Sequence, residues 1–393
     1  MFKRTLEAEL LAAAAEYPVV TLLGPRQAGK TTLARAARPA LPYASLEDPD
    51  VRAEALADPR GFLGRYRNGA ILDEIQRAPA LLSYLQGVVD ADPRPGRFVL
   101  TGSHQPEVHQ AVTQTLAGRT AVLELMPLSV AELHAAGRGP DSVFTLLASG
   151  SYPAVHERQL DPQRFFRGYV ATYVERDVRA LLNLKDLGRF QQFLRLLAGR
   201  IGQLVNYSSL ATDIGVSSTT IKNWVSVLRA SFLAYELRPY HANIRKRFVK
   251  SPKIYFTDTG LAAYLLGIHT PEQVERDPLR GVLYENFAIM EAVKTRLNRG
   301  AAGDLWFFRD AVGHEVDLLI PEGRRLHPVE IKSGATFTPE FADGIAYFRE
   351  HGGHPNCGPG MVVYNGERQF VFKDVRVVNP LRTPAWASGV SER

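Results

Sequence analysis

The chain has 393 residues, 45% hydrophobic, 22% charged and 9% aromatic, which supplies two or three buried cores and excludes a largely disordered chain. Its one cysteine, Cys357, excludes an internal disulfide and a cysteine-built zinc site, and suits a reducing compartment. Net charge is +6, from 47 basic and 41 acidic residues. That excess is modest, so its placement matters more than its size.

Between Arg238 and Lys253 basic residues gather with no acidic residue among them. No apolar run reaches the length of a membrane-spanning helix, and the start, Met1-Phe2-Lys3-Arg4, leads into too short an apolar stretch for a secretory leader. A soluble cytoplasmic protein with no membrane contact is expected.

In chain order, Val19–Leu23 reads as a buried strand. It is followed by Gly24-Pro25-Arg26-Gln27-Ala28-Gly29-Lys30-Thr31-Thr32 and then a helical stretch. This is the pattern G-x-x-x-x-G-K-T between strand and helix, a phosphate-binding loop. The glycines let backbone N–H groups curl toward phosphate, Lys30 reaches the β- and γ-phosphates, and the Thr31 hydroxyl ligates Mg²⁺. ATP or GTP with Mg²⁺ is the expected ligand of the loop, and ATP is the choice that the resemblance given below implies.

The second strand, Gly69–Leu72, ends in Asp73 and Glu74. Asp73 would hold the Mg²⁺ through water, and Glu74 would polarise the attacking water. Adjacent acids there also suit a helix start. A third strand, Arg97–Gly102, ends at Ser103, placed to sense the γ-phosphate or to cap a helix. Arg119, ahead of a fourth strand, Thr120–Leu125, is a candidate arginine finger or a salt-bridge residue.

The segments GPRQAGKTTLA, YASLEDPD, ILDEIQRAP, FVLTGSH, LAGRTAVLELMPLS and YVATYVERDV resemble the prokaryotic AAA+ ATPases that carry a C-terminal domain of unknown function, over almost the full length. The resemblance implies an AAA+ core over residues 1–127 and a helical lid over 128–185, with Arg176 and Asp177 facing the nucleotide or pairing with each other. Arg119 permits a homo-oligomer, a hexameric ring included.

Asn206–Leu228 reads as a helix-turn-helix. Leu210, Ala211 and Ile214 face inward on the first helix, Gly215 turns the chain, and Ile221, Trp224, Val225 and Leu228 face inward on the second. The opposite face carries Ser218, Thr219, Lys222, Asn223 and Ser226, short polar groups suited to a major groove. Strands at 232–237 and 253–256 make the whole of 186–270 a winged helix, with Arg245, Lys246, Arg247 and Lys250 in its wing, against a phosphate backbone or an acidic partner.

Over 279–378, an amphipathic helix with Glu285 precedes strands carrying Asp317 and then Glu330-Ile331-Lys332. The pattern resembles the PD-(D/E)xK nuclease fold. Asp317, Glu330 and Glu285 would bind Mg²⁺, and Lys332, on the same strand face as Glu330, would orient water or stabilise phosphate charge. Residues 379–393 read as an aperiodic, loosely held tail.

The α/β architecture expected is therefore a P-loop ATPase core with a helical lid, a winged helix and a nuclease-like domain. The function expected is a DNA-dependent ATPase acting on duplex or branched DNA, including Holliday junctions in repair. The alternative is an ATP-switched binding protein, in defence or toxin regulation, whose nuclease-like domain is inactive.

Overall fold

A computed structural model describes residues 2–103, 114–174, 186–240, 251–352, 354 and 356–388. Strands β1 (Val19–Leu23), β2 (Tyr43–Ser45), β3 (Ala70–Asp73), β4 (Phe98–Gly102) and β5 (Thr120–Glu124) form a parallel sheet in the order β2-β3-β4-β1-β5. β1, β3 and β4 are buried from end to end, as central parallel strands covered on both faces must be. Alternate side chains feed two apolar clusters. Val19, Leu72, Phe98 and Leu100 pack with Leu81 and Leu85 of the helix Leu81–Ala91. Val20 and Leu22 pack with Leu10, Leu33 and Leu125.

The segment after β5 folds into short helices, Val130–Ala135, Val143–Ser149, Pro153–Glu157 and Pro162–Tyr169, ending in a π-helical turn, Val170–Val174. Arg176 and Asp177 lie outside the described residues. Helices Tyr207–Ile214 and Ser218–Ala230 meet at Gly215, whose φ of 76° suits glycine. Ser217 caps the second helix by accepting from the Thr220 N–H, and its buried side is Ile221, Trp224, Val225 and Leu228. Strands β6 (Ala234–Pro239) and β7 (Lys253–Phe256) follow as an antiparallel pair. Arg245, Lys246, Arg247 and Lys250 lie outside the described residues.

The remaining strands are β8 (Trp306–Arg309), β9 (Glu315–Glu322), β10 (Arg325–Lys332), β11 (Gly360–Tyr364), β12 (Phe370–Phe372) and β13 (Val375–Val378). They join β6 and β7 in a second sheet ordered β12-β13-β11-β10-β9-β8-β6-β7. β6 pairs in parallel with β8 at Arg238↔Trp306 and Pro239↔Phe307, so the hairpin and the C-terminal region share one sheet across the expected division. One apolar cluster likewise runs from Phe2 and Leu128 through Trp224 and Phe287 to Trp386.

Two elements differ from what the sequence predicts. The helix carrying Glu285 spans Arg280–Leu297 and is buried on nearly every side rather than amphipathic, with Glu291 and Lys294 inside as a pair. Their outer contacts reach the segment after β5. Glu291 Oε2 accepts from the Val130 N–H at 2.8 Å, and Lys294 Nζ donates to Leu128 O at 2.9 Å. The tail is packed as far as Ser388, because Trp386 is too large and apolar to stay in water and sits 1% exposed in the core.

Candidate active site

The phosphate loop leaves the C-terminal end of β1, next to the ends of β3 and β4, where parallel α/β sheets bind ligands. Gly24 is required sterically, since a Cβ there would lie 2.1 Å from Leu125 O. Gly29, at φ 93°, leads into the helix Lys30–Ala37 with no side-chain cap, so the first N–H groups of that helix remain available to an anion. Lys30 is only 5% exposed, and its Nζ donates to Gly24 O at 3.0 Å and Pro25 O at 2.8 Å. Burial pushes its pKa down to about 8, against the raising effect of Glu74 and Asp73. The Arg26 guanidinium lies 5.2 Å from the centre of the Tyr173 ring in the π-helical turn.

Asp73 collects hydroxyls. Thr31 Oγ1 donates to its Oδ1 at 2.8 Å, Thr101 donates to the same oxygen, and the Tyr43 hydroxyl donates to Oδ2 at 2.7 Å. A hydroxyl and a carboxylate side by side form an all-oxygen donor set of the kind Mg²⁺ takes. Glu74 has a left-handed backbone, φ 57° and ψ 48°, rare for a residue with a side chain. Gln76 Nε2 donates to Glu74 Oε2 and, at 2.8 Å, to Ser103 Oγ, while Ser103 lies 3.4 Å from the same carboxylate. Lys30, Thr31, Asp73, Glu74 and Ser103 are thus brought to one place. Beside Gly29 opens a cleft of about 240 Å³ in which Phe2, Leu33, Ala36 and Pro153 lie alongside charged Lys3, Arg4, Glu7 and Glu157.

Arg119 is not part of this group. It precedes the first residue of β5, aligned with the start of β1, which puts it roughly 15 Å along the sheet from the loop. Its guanidinium is bound to the Asp90 carboxylate and to Ala117 O.

Several contacting residues carried no assigned role in the sequence. Gln76 and Thr101 lie inside the quoted motifs, so proximity to Glu74 and Ser103 was their signal. Arg4 had none, because its partners are remote. Its guanidinium donates to Ala28 O in the loop and Met126 O, both at 2.6 Å, and pairs with buried Glu132 at 3.0 Å.

The predicted residues of the helix Ser218–Ala230 stand as expected on its outer side. Thr219, Lys222, Asn223 and Ser226 are exposed and Ser218 half-buried, with Lys222 Nζ 5.7 Å from the Tyr207 ring centre.

In the C-terminal region Glu285, Asp317, Glu330 and Lys332 do converge, but as ion pairs. Lys332 Nζ lies 2.5 Å from Glu330 Oε2 and 3.4 Å from Asp317 Oδ2, which also accepts from the Ile331 N–H at 2.8 Å. Burial and the nearby Asp317 push the Glu330 carboxyl up, well above its usual range, against the pull of Lys332. Glu285 Oε1 accepts from Lys253 Nζ at 3.1 Å and from the Tyr255 hydroxyl at 2.5 Å. Among the described residues no group of three or more His, Cys, Asp or Glu side chains is arranged to hold a metal ion. Lysines stand among the three carboxylates expected to bind Mg²⁺: Lys332 between Asp317 and Glu330, and Lys253 beside Glu285. No described helix is long and apolar enough to cross a membrane.

Two mycobacterial proteins, "Uncharacterized protein Rv2008c" of Mycobacterium tuberculosis and "Uncharacterized protein Mb2031c" of Mycobacterium bovis, are each 33% identical to the chain over 380 residues, 96% of this chain and 83% of theirs. The chain belongs to their family. Residues 16–134 match the family described as AAA domain, which makes the first sheet and its loop a nucleotide-binding P-loop ATPase core. Residues 140–272 and 280–383 match two domains of unknown function, DUF8612 and DUF4143. Among solved structures, the Walker-type ATPase PABY2304 of Pyrococcus abyssi covers 67% of this chain and 96% of its own, at 16% identity and TM-score 0.48. AMPPCP-bound DnaA from Aquifex aeolicus covers 57% and 85%, at 14% identity and TM-score 0.31.

Proposed function

We propose that the family member described here is a DNA-dependent ATPase, which couples ATP binding and hydrolysis in the AAA core to engagement of duplex or branched DNA. The observation that carries the ATPase part is the convergence of Lys30, Thr31, Asp73, Glu74 and Ser103 at the ends of β1, β3 and β4. In this reading the cleft beside Gly29, with its apolar side of Phe2, Leu33, Ala36 and Pro153, takes the adenine, and the loop and Lys30 take the phosphates. Lys30 exchanges two neutral carbonyl partners for phosphate oxygens, a stronger charge-assisted bond. Thr31 and Asp73 would hold Mg²⁺, which when bound neutralises phosphate charge. Glu74, backed by Gln76 and Ser103, orients the attacking water and accepts its proton. Arg119, fixed away from its own loop, would act only on the nucleotide of a neighbouring copy, which requires an oligomer.

The DNA part rests on the exposed polar face of the helix Ser218–Ala230 together with the basic run Arg245, Lys246, Arg247 and Lys250. Such a face enters a major groove while the basic run follows phosphates. Arg245, Lys246 and Arg247 exchanged together for alanine test it. ATP turnover that rises with duplex or four-way-junction DNA, and loses that rise in the triple variant, is the expected result. Turnover indifferent to every DNA in the wild-type chain overturns the DNA half and leaves the ATPase half standing.

A further inference from the structure

Lys253, read in the sequence as the end of a basic run and the start of a strand, sits where the carboxylates of the C-terminal region converge. Its side chain is 4% exposed, and its Nζ lies 3.1 Å from Glu285 Oε1 and 2.5 Å from Glu315 Oε1. Glu315 is held in turn by Arg309 at 2.9 Å. The Tyr255 hydroxyl, two residues along β7, donates to the same Glu285 oxygen as Lys253 does. On the other side, Lys332 bridges Glu330 and Asp317.

A divalent cation at a nuclease centre needs carboxylate oxygens free to converge on it, and Mg²⁺ keeps most of its own water besides. Here those oxygens accept from ammonium, guanidinium, hydroxyl and backbone N–H donors. The central donor is tethered to β7, so it returns whenever it leaves, at an effective concentration no free ion matches. Expelling it would strand a buried ammonium away from Glu285 and Glu315, its ion-pair partners among the described residues.

We propose that Lys253 is the resident cation of this cluster: its ammonium, bound to Glu285 and Glu315 beside the Asp317–Lys332 pair, supplies the positive charge that a metal ion supplies in a nuclease. The C-terminal domain then keeps a nuclease-like frame without taking up a divalent cation there, and it serves as a gripping or bracing surface rather than a cutting one. The inference rests on the nuclease-like reading of the strands carrying Asp317 and Glu330, and is independent of ATP hydrolysis.

The test is Mn²⁺ binding to the nucleotide-free full chain, followed by electron paramagnetic resonance. The wild-type chain is expected to show no Mn²⁺ site that Asp317→Asn removes. Lys253→Met is expected to gain such a site, and to lose it again when Asp317→Asn is added. Asp317-dependent Mn²⁺ binding, or Asp317-dependent DNA cleavage with Mn²⁺, in the wild-type chain overturns the proposal; so does a folded Lys253→Met chain that gains no site. If Lys253→Met does not fold, the comparison of wild type with Asp317→Asn decides alone. ATP turnover by the same wild-type preparation separates failure here from failure of the ATPase reading.

Discussion

The two places where this chain gathers acids and lysines are built on opposite plans. At the phosphate loop, Lys30 is buried against two neutral carbonyls, and Asp73 is satisfied by hydroxyls that can turn toward a ligand. In the C-terminal cluster, Lys253 and Lys332 are bound to carboxylates, and every acid there has a side-chain cation. The same residue types thus make a site waiting for charge in one region and a site already neutralised in the other. Which of the two a lysine serves is decided by its partners, and its protonation records the choice. Burial pushes Lys30 down. Burial also opposes the charge of Lys253, but Glu285, Glu315 and Asp317 outweigh it and hold its pKa above the ordinary lysine value.

The sharpest way to break this comparison is to remove each lysine. Lys253→Met leaves half-buried Glu285 to the Tyr255 hydroxyl and half-buried Glu315 to Arg309, and should cost about 3 kcal/mol in denaturant unfolding, the low end for breaking a buried pair. Lys30→Met removes a charge that burial disfavours. Without nucleotide it should leave stability unchanged or raised, while nucleotide affinity falls roughly 100-fold with the loss of about 3 kcal/mol of charge-assisted bonding. Equal stability losses in both variants would erase the distinction.

A smaller effect is expected at Gln76, which touches both Glu74 and Ser103. Gln76→Leu should lower ATP turnover about tenfold, equivalent to about 1.4 kcal/mol, with nucleotide affinity retained. A loss of affinity instead would assign Gln76 to the shape of the loop.

The smallest is a pH dependence. Lys30 is charged below its pKa of about 8 and neutral above it, so nucleotide affinity should weaken as pH rises through that value. Bound phosphate favours the charged form and moves the midpoint upward. Lys253 behaves oppositely: its raised pKa means its contribution to folding is complete below the ordinary lysine value and is lost only at higher pH. Titrating nucleotide affinity and unfolding free energy across pH 8 should show the first changing while Lys253's share of the second holds.

Much of the nucleotide site was legible because its chemistry is local. Nine consecutive residues, Gly24–Thr32, make the loop, and Asp73, Glu74 and Ser103 lie at or just past the ends of strands whose apolar runs announce them. The helix pair at Gly215 was legible for the same reason: glycine, serine cap and apolar spacing all fall within one short stretch. What escaped depends on remote partners. Arg4 meets Glu132, a separation of 128 residues, and Lys253 meets Glu285 and Glu315 from another strand. The burial of the helix Arg280–Leu297 escaped because its polar residues, Glu291 and Lys294, look like a solvent face until Val130 and Leu128 are seen to satisfy them. The packed tail turns on a single tryptophan, Trp386, for which aperiodic sequence gives no location.

Whether the convergence at β1, β3 and β4 hydrolyses ATP is decided by Glu74→Gln, with ATP binding and phosphate release measured on the same preparations. ATP affinity should stay close to wild type while release slows by a factor on the order of 10² to 10⁴, the usual contribution of a positioned general base. Release at the wild-type rate from the Glu74→Gln chain would contradict hydrolysis there.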